Sequence, residues 1–314
     1  MHLPAILKGT ASFVLPGSVY SRHTGGSDSA RYCYSVFLRH LSILGRLGLD
    51  TPLSSVAELG PGDSLGIGIA AVVAGAERYR AFDVKAFAAN DRNLAVFDEL
   101  TALFRERAPI PSESEFPEIK PPLDAHDFPS DLLNHARLEA ALLPGRIERL
   151  RREIAAIGTP GEGCVSYAAP WHDDDRIAAG SVDWILSQAV MEHVDDLEGT
   201  YAACWRWLRP GGVMSHQIDF KSHGTAPQWN GHWAFSDFAW RLVRGARPYL
   251  INRQPHSVHV DLMMRAGFEI LCDRTFRSSG GLPRERLAGR YRSLSDDDLA
   301  TSGAFIVARK PLAA

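Results

Sequence analysis

The sequence predicts an α/β protein organised on a mostly parallel sheet, and three observations carry that expectation. Short apolar runs alternate with helix-periodic stretches over roughly 250 residues, the pattern of strands joined by crossover helices. The stretch Ser54 to Val84 reads strand, glycine turn, helix, strand and acidic residue, the plan of a nucleotide-binding βαβ unit. No internal repeat interrupts the alternation.

Residues 1–26 carry turn-formers (Pro4, Gly9, Pro16, Gly17, Gly25, Gly26) and are expected to form an irregular arm. Ser27, Asp28 and Ser29 offer N-caps to a helix running to about Leu47, with Phe37, Leu41 and Leu44 on one face. Val56, Ala57 and Leu59 form the first strand, Gly60-Pro61-Gly62 the turn, and Leu65, Ile69, Val72 and Val73 the buried face of the next helix. A second apolar run closes at Asp83. About 80 residues then precede the next strand, far more than a compact crossover needs, so residues 90–160 are expected to be a helical, lid-like insertion. It comprises a helix over Asn93 to Arg107, a proline-rich stretch from Pro109 to Pro129 without regular structure, and helix capped by Ser130 and broken at Pro144-Gly145. Strands return at Cys164–Ala168 and Ser181–Ser187. A helix starts at Asp195 or Asp196, LRPGG (Leu208 to Gly212) stops it, and a strand follows over Val213–Phe220. Helices over Phe235–Val243 and Val258–Ala266 and strands over Glu269–Arg274 and Gly303–Arg309 complete a domain spanning residues 54–314, behind an arm and helix in residues 1–53.

Composition narrows the function classes. The 314 residues carry a net charge of −3 and 45% hydrophobic content, which gives no electrostatic case for nucleic acid or an anionic membrane as partner. Cys33, Cys164, Cys204 and Cys272 lie far apart without metal-ligand spacing, as expected of free thiols in a reducing compartment. No run is long enough to span a bilayer and the N-terminus lacks a signal-peptide pattern, so a cytoplasmic location is expected.

Chemistry enters at Glu58, just before the turn. A carboxylate there would repel a pyrophosphate and suit a ligand carrying positive charge, while Asp83 suits ribose hydroxyls. Combined with SVDWILS running into QAVMEHV (Gln188 to Val194), LRPGG, and AGF followed by a closing strand, these features resemble the class I S-adenosylmethionine-dependent methyltransferases, the small-molecule type with EHV after the fourth strand. The resemblance covers residues 54–274 and implies a Rossmann-like, seven-stranded, mostly parallel sheet with helices on both faces, and S-adenosyl-L-methionine as cofactor.

Carried over by position, the resemblance implies that Glu58, Gly60, Pro61 and Gly62 line the methionine end, with Glu58 near the amino group. It implies that Asp83 holds the ribose, that Ala169 to Trp171 approach the adenine, and that Gln188 touches the methionine portion from the other side. Two departures stand out. Ser64 occupies the place of a common third glycine, and no aspartate follows the third strand, which leaves Trp171 to stack on the adenine or simply pack in the core. Ubiquinone-pathway O-methyltransferases carry a metal-supporting glutamate three residues before the Glu-His pair; Ala189 stands there, so that metal site is expected to be absent and no metal is assigned.

For the reaction, alignment of an acceptor with an activated sulfonium does much of the work, and an oxygen nucleophile also needs its proton removed. His193, in MEHV, is one candidate base, with helix capping or packing as its ordinary alternative. His216, Asp219, His223 and His232 crowd the segment after the fifth strand. Asp219, at the strand's C-terminal end, with His223 is the preferred base or metal pair, a local turn network being the alternative. Trp229, Trp233, Phe235 and Trp240 would wall an apolar or sugar pocket or pack as core, and Arg241, Arg244, Arg247 and Arg253 would bind an anionic substrate or stay solvated. The expected activity is O-methylation of a small molecule, sugar or glycan. The rivals are an NAD(P)-dependent Rossmann oxidoreductase, against which the missing GxGxxG argues, and a methyltransferase-like binding protein that has lost catalysis.

Overall fold

The computed structural model describes residues 3–14, 27–49, 54–158, 163–171, 177–247 and 249–312. The elements run α1 Leu3–Ala11, α2 Ala30–Arg46, β1 Ser55–Leu59, α3 Gly66–Val73, β2 Arg78–Phe82, α4 Asn90–Glu106, α5 His135–Ala141, α6 Pro144–Ala155 and β3 Val165–Ala168. They continue β4 Val182–Gln188, a 3-10 turn Met191–His193, α7 Leu197–Trp207, β5 Leu208–Asp219, α8 Asp237–Arg244, α9 His256–Arg265, β6 Glu269–Arg277, α10 Asp296–Ala300 and β7 Thr301–Arg309. Seven strands form one sheet in the order β3-β2-β1-β4-β5-β7-β6, parallel from β3 through β5, with β7 antiparallel to both β5 and β6. The expected mostly parallel, Rossmann-like sheet is the observed one.

Because side chains alternate across a strand, each strand feeds two cores. Val56, Trp184, Leu186 and Phe305 pack on the face covered by α2, α3 and α4, together with Phe37, Phe97 and Phe104. Ala57, Ile185, Met214 and Ile306 pack on the opposite face with Tyr201, Trp207 and Met263 of α7 and α9. The alternation that buries Val56 on the first face puts Glu58 on it too. The same alternation puts His216 with Met214 and Ile218 on the α7 face, and Ser215, Gln217 and Asp219 on the α2 side.

Two regions differ from expectation. The N-terminal arm contains a helix: α1 packs against α8 so closely that a Cβ on Gly9 would meet the Leu242 carbonyl oxygen at 2.0 Å. The glycine read as a turn signal is a point of helix contact, and Pro4 falls in the first turn, where no backbone N–H is missed. The rest of that arm, residues 15–26, lies outside the described residues. The insertion differs in kind. Its helices α4, α5 and α6 thicken the layer over α2 and α3 through Leu100, Leu138, Leu150 and Ile154. Asn134, not Ser130, caps α5.

The start of α4 touches the turn after β1 through Arg92 and Asn93, and the proline-rich stretch reaches the ends of β4 and β5. That stretch is anchored by Arg39, which is 0% exposed and donates to Glu113 at 2.6 Å, to the Pro121 carbonyl at 2.7 Å and to the Pro111 carbonyl at 2.9 Å. A guanidinium so enclosed by acceptors is satisfied, and the chain around it is fixed.

Candidate functional site

The site is built where β1, β2, β4 and β5 end. After β1 the chain turns at Gly60 and Gly62, both with φ positive, +65° and +76°. A Cβ at Gly60 would also meet Val190 at 2.5 Å, so the turn needs glycine on two counts. Asp83 follows β2. Its Oδ2 accepts the Gly62 N–H at 3.3 Å and its Oδ1 accepts the Val84 N–H at 2.7 Å. Burial raises its pKa to about 6, against the pull of those backbone donors. The Trp171 N–H donates to the Asp83 carbonyl at 2.9 Å, which brings the segment after β3 to the same corner. The Trp171 ring meets Phe82 at 6.0 Å and Trp207 at 5.5 Å, both edge-on, as part of the core beneath.

Glu58 sits below this corner. It is 1% exposed, and its Oε2 accepts from the Tyr79 hydroxyl at 2.5 Å and from the Gly68 N–H at 3.1 Å. Burial raises its pKa to about 8, so at neutral pH the carboxyl is largely protonated. The expectation of a free carboxylate at the mouth of the turn is therefore corrected: Glu58 ties β1 to α3 and β2 and shapes the turn from underneath.

Gln188, at the end of β4, belongs to a directed hydrogen-bond chain. The Trp184 indole donates to Ser215 Oγ at 2.9 Å, and Ser215 Oγ lies 2.8 Å from His40 Nδ1. His40 Nε2 lies 3.1 Å from Gln188 Oε1, and Gln188 Nε2 donates to the Lys120 carbonyl at 3.2 Å. Because Gln188 Oε1 only accepts, His40 carries its proton on Nε2 and takes the Ser215 hydroxyl proton on Nδ1. Burial holds His40 at a pKa of about 4, which keeps that tautomer neutral. The chain locks Gln188 and attaches the proline-rich stretch to the sheet.

The third wall comes from the 3-10 turn after β4 and the loop after β5. Asp219 Oδ2 is 3.5 Å from His223 Nε2, and the His223 and His193 rings meet edge-on at 5.0 Å between centroids. Burial opposes ionisation of Asp219, but His223 and Lys221 outweigh it and the net shift is downward. Burial, helped by His223, lowers His193 to about 4. The His193 Nδ1 lies 2.7 Å from the Tyr249 carbonyl, which can only accept, so Nδ1 is protonated and Nε2 keeps a free lone pair. A groove of about 500 Å3 opens beside Asp219, lined by Lys120, Gln217, Lys221 and Arg277 among others.

Of the candidate bases, the structure thus brings together Asp219, His223 and His193. It separates His216, which is fully buried on the α7 face with Ser187 Oγ 2.8 Å from its Nδ1. Burial lowers its pKa to about 3, so it is a neutral core residue and leaves the catalytic set. The tryptophan wall is corrected as well. Trp233 is fully buried, stacks on Tyr291 and donates to the Arg253 carbonyl, while Arg253 lies over the Trp240 and Tyr291 rings and pairs with Asp237. Arg244 pairs with Asp195. These aromatics and arginines hold the segment after β5 together. Glu192, His40 and Lys120 were not singled out from sequence. Glu192 stood inside the quoted EHV segment, whereas nothing in the order of residues links His40 to Gln188.

The residues at the first corner fit the nucleoside of S-adenosyl-L-methionine. The Asp83 carboxylate uses two backbone donors and retains lone pairs for two hydroxyls, and the glycine turn lets the backbone approach a ligand closely.

Comparison with known proteins finds a matching family model and several similar proteins. Residues 159–215, from before β3 into β5, match the family model described as a methyltransferase domain. Over 80 residues the chain is 34% identical to a ubiquinone biosynthesis O-methyltransferase of Mesorhizobium japonicum, an overlap of 25% of this chain and 32% of that one. The chain thus spans about a third of the length of the curated relative it matches. Among solved structures, an S-adenosylmethionine dependent methyltransferase from Mesorhizobium loti is similar at 13% identity and a TM-score of 0.43, over 86% of this chain and 97% of that one. Phosphoethanolamine N-methyltransferase 2 of Haemonchus contortus, in complex with S-adenosyl-L-methionine, is similar at 15% identity and a TM-score of 0.44, over 95% of this chain and 60% of that one. The matched segment lies in a seven-stranded sheet with an aspartate-closed glycine corner, and residues 159–215 are similar to a methyltransferase domain.

Proposed function

We propose that this protein transfers a methyl group from S-adenosyl-L-methionine to a hydroxyl oxygen of a small-molecule acceptor. One observation carries the reading. The glycine turn and Asp83 form a single corner, and two strands along, at the ends of β4 and β5, stand a neutral His193 with a free Nε2 and the Asp219–His223 pair. When bound, the cofactor supplies a methyl group on an activated sulfonium leaving group. The chain's task is then to align the acceptor and take its proton. His193 Nε2 is the acceptor of that proton, with the positive charge that develops on the ring stabilised by the Tyr249 carbonyl and by Asp219. Gln188, held by His40 and the Lys120 carbonyl, fixes the edge of β4 between the two walls.

The acceptor enters beside Asp219 through the groove that Lys120, Lys221 and Arg277 line, which favours a polar molecule. A sugar or glycan stays within that description.

Calorimetric titration with S-adenosylhomocysteine tests the cofactor site, and its formation from S-adenosylmethionine with a panel of phenols, sugars and hydroxy acids tests the reaction. Failure to bind S-adenosylhomocysteine, or binding of NADH in its place, would overturn the reading. No helix among the described residues is long and apolar enough to cross a membrane.

A further inference from the structure

The acceptor groove holds a side chain that is buried but left idle by the fold. Gln217, near the end of β5, is 5% exposed and lines the groove, yet neither end of its side-chain amide has a hydrogen-bond partner among the described residues. Its backbone serves the sheet: it stands in register with Gln188 of β4 and Phe305 of β7, and its carbonyl accepts the Ala189 N–H at 2.9 Å. Gln188, one strand away, engages both ends of its own amide, with His40 and the Lys120 carbonyl. Folding tends to pair an amide that it buries, so the open amide of Gln217 stands out.

A cation lies over the same floor. The Lys120 carbonyl is held by Gln188, beside Gln217 in the sheet, while the Lys120 ammonium stands 5.8 Å from the centroid of the Phe276 ring on β6. With strands about 4.8 Å apart, the half-buried side chain crosses the ends of β5 and β7 above the groove. The other charges that line the groove have partners. Lys221 pairs with Glu118 at 3.0 Å, Arg277 with Asp297 at 2.7 Å and Asp219 with His223 at 3.5 Å. Lys120 has no carboxylate within ion-pair distance among the described residues, only the face of the Phe276 ring.

From this pairing of an idle amide with an unanswered cation we infer that the acceptor carries a carboxylate, received by the Lys120 ammonium and the Gln217 amide N–H. One spare positive charge matches a monoanion, and the amide adds a directed donor for the second oxygen. A phosphate dianion would bring one more negative charge beside Asp219 and Glu118 than Lys120 can balance. The Phe276 ring and the Lys120 stem offer apolar surface to the acceptor's carbon frame. Gln217 and Asp219 lie two residues apart on one side of β5, roughly 7 Å by strand rise, which sets the spacing between the carboxylate and the reacting hydroxyl. Asp219 repels a carboxylate from the reacting end, so the acceptor enters in one orientation. The inference rests on the proposed hydroxyl methylation and names its acceptor as a hydroxy acid.

The test titrates 3-hydroxybenzoate, 4-hydroxyphenylacetate and the amide of each into the full chain, with and without saturating S-adenosylhomocysteine, read by calorimetry. At least one acid should bind saturably and at least tenfold more tightly than its amide. Lys120→Met, which keeps the apolar stem, should remove that preference, and Gln217→Leu, which keeps the volume, should reduce it at least threefold. Affinity for the amide should stay within threefold in both variants, which a general loss of structure would not allow. The inference is overturned if neither acid binds saturably, if the acids bind no more tightly than their amides, or if Lys120→Met retains the preference. The wild-type comparison of acid with amide decides the matter should a variant fail to fold. Preferential binding of the acids without methyl transfer to their hydroxyls keeps this site and overturns the hydroxyl reading, while equal methyl transfer to acids and amides does the reverse.

Discussion

The two walls of the cleft manage buried polar groups in opposite ways. On the glycine-turn side every buried carboxyl is answered: Glu58 by Tyr79 and Gly68, Asp83 by Gly62 and Val84. On the β4–β5 side the Glu192 carboxyl has no side-chain hydrogen-bond partner among the described residues, and the His193 Nδ1–H is committed to the Tyr249 carbonyl. The first wall is a finished mould, in which shape and backbone donors do the recognising. The second holds unspent donor and acceptor capacity. Folding tends to pair what it buries, so an unpaired carboxyl in a packed wall is a departure from that tendency.

Substitutions break this contrast in graded ways. The largest expected effect lies in the support of the second wall. Arg39→Ala removes the buried guanidinium that joins Glu113 to the Pro111 and Pro121 carbonyls and should destabilise the protein by about 3–5 kcal/mol, read as a lowered denaturant midpoint. An unchanged midpoint would show that the proline-rich stretch does not depend on that anchor.

Next, Asp83→Ala on the finished wall should weaken S-adenosylhomocysteine binding about 10- to 100-fold, the cost of losing charge-assisted hydrogen bonds to hydroxyls. Equal affinity by calorimetry would remove Asp83 from the cofactor site. His193→Ala on the other wall should instead lower kcat about 100-fold and move S-adenosylhomocysteine affinity little. A loss confined to affinity would merge the two walls into one role.

Glu58 offers a subtler probe, through pH. Its folded pKa of about 8 lies above the usual 4.5, so the folded state holds a proton that the unfolded chain releases across that window. The resulting stability is full below about pH 4.5 and is lost as pH rises toward 8. Asp83, raised from 3.8 to about 6, acts in the same direction over a lower window. Relative to wild type, Glu58→Gln should therefore gain stability between pH 5 and 8, by up to about 1 kcal/mol per pH unit. Parallel pH profiles in thermal melts would mean that the carboxyl is ionised in place.

The smallest effect should come from Gly9→Ala. It places a Cβ against the Leu242 carbonyl and should push α1 off α8, lowering Tm by a few degrees with cofactor affinity unchanged.

The legibility of the two walls differed for the same reason. The glycine turn, Asp83 and the succession of strands and helices along the chain are written in local order: apolar runs, turn residues and periodicity predict them without knowledge of what packs on what. The β5 face of Asp219 was also legible, because strand alternation is a local rule. Two expectations failed where a neighbour from elsewhere decided the outcome. Glu58 was read as a free anion because Tyr79 and the Gly68 N–H, which take up its carboxyl, become visible only when β2 and α3 fold beside it. His216 was read with its histidine-rich neighbours, although its strand position buries it against Tyr201.

By itself, then, the sequence determined the alternating architecture, the glycine corner and the ends of strands where a ligand would meet the sheet. These follow from backbone conformational limits and from the segregation of apolar side chains, which act over a few residues at a time. The tertiary structure alone decided which ionisable groups are paired and which are left open. Desolvation and hydrogen bonding depend on every element packed around a group. Thus Glu58 and Glu192, both carboxylates at the ends of neighbouring strands, differ because one is buried among donors and the other faces two imidazoles.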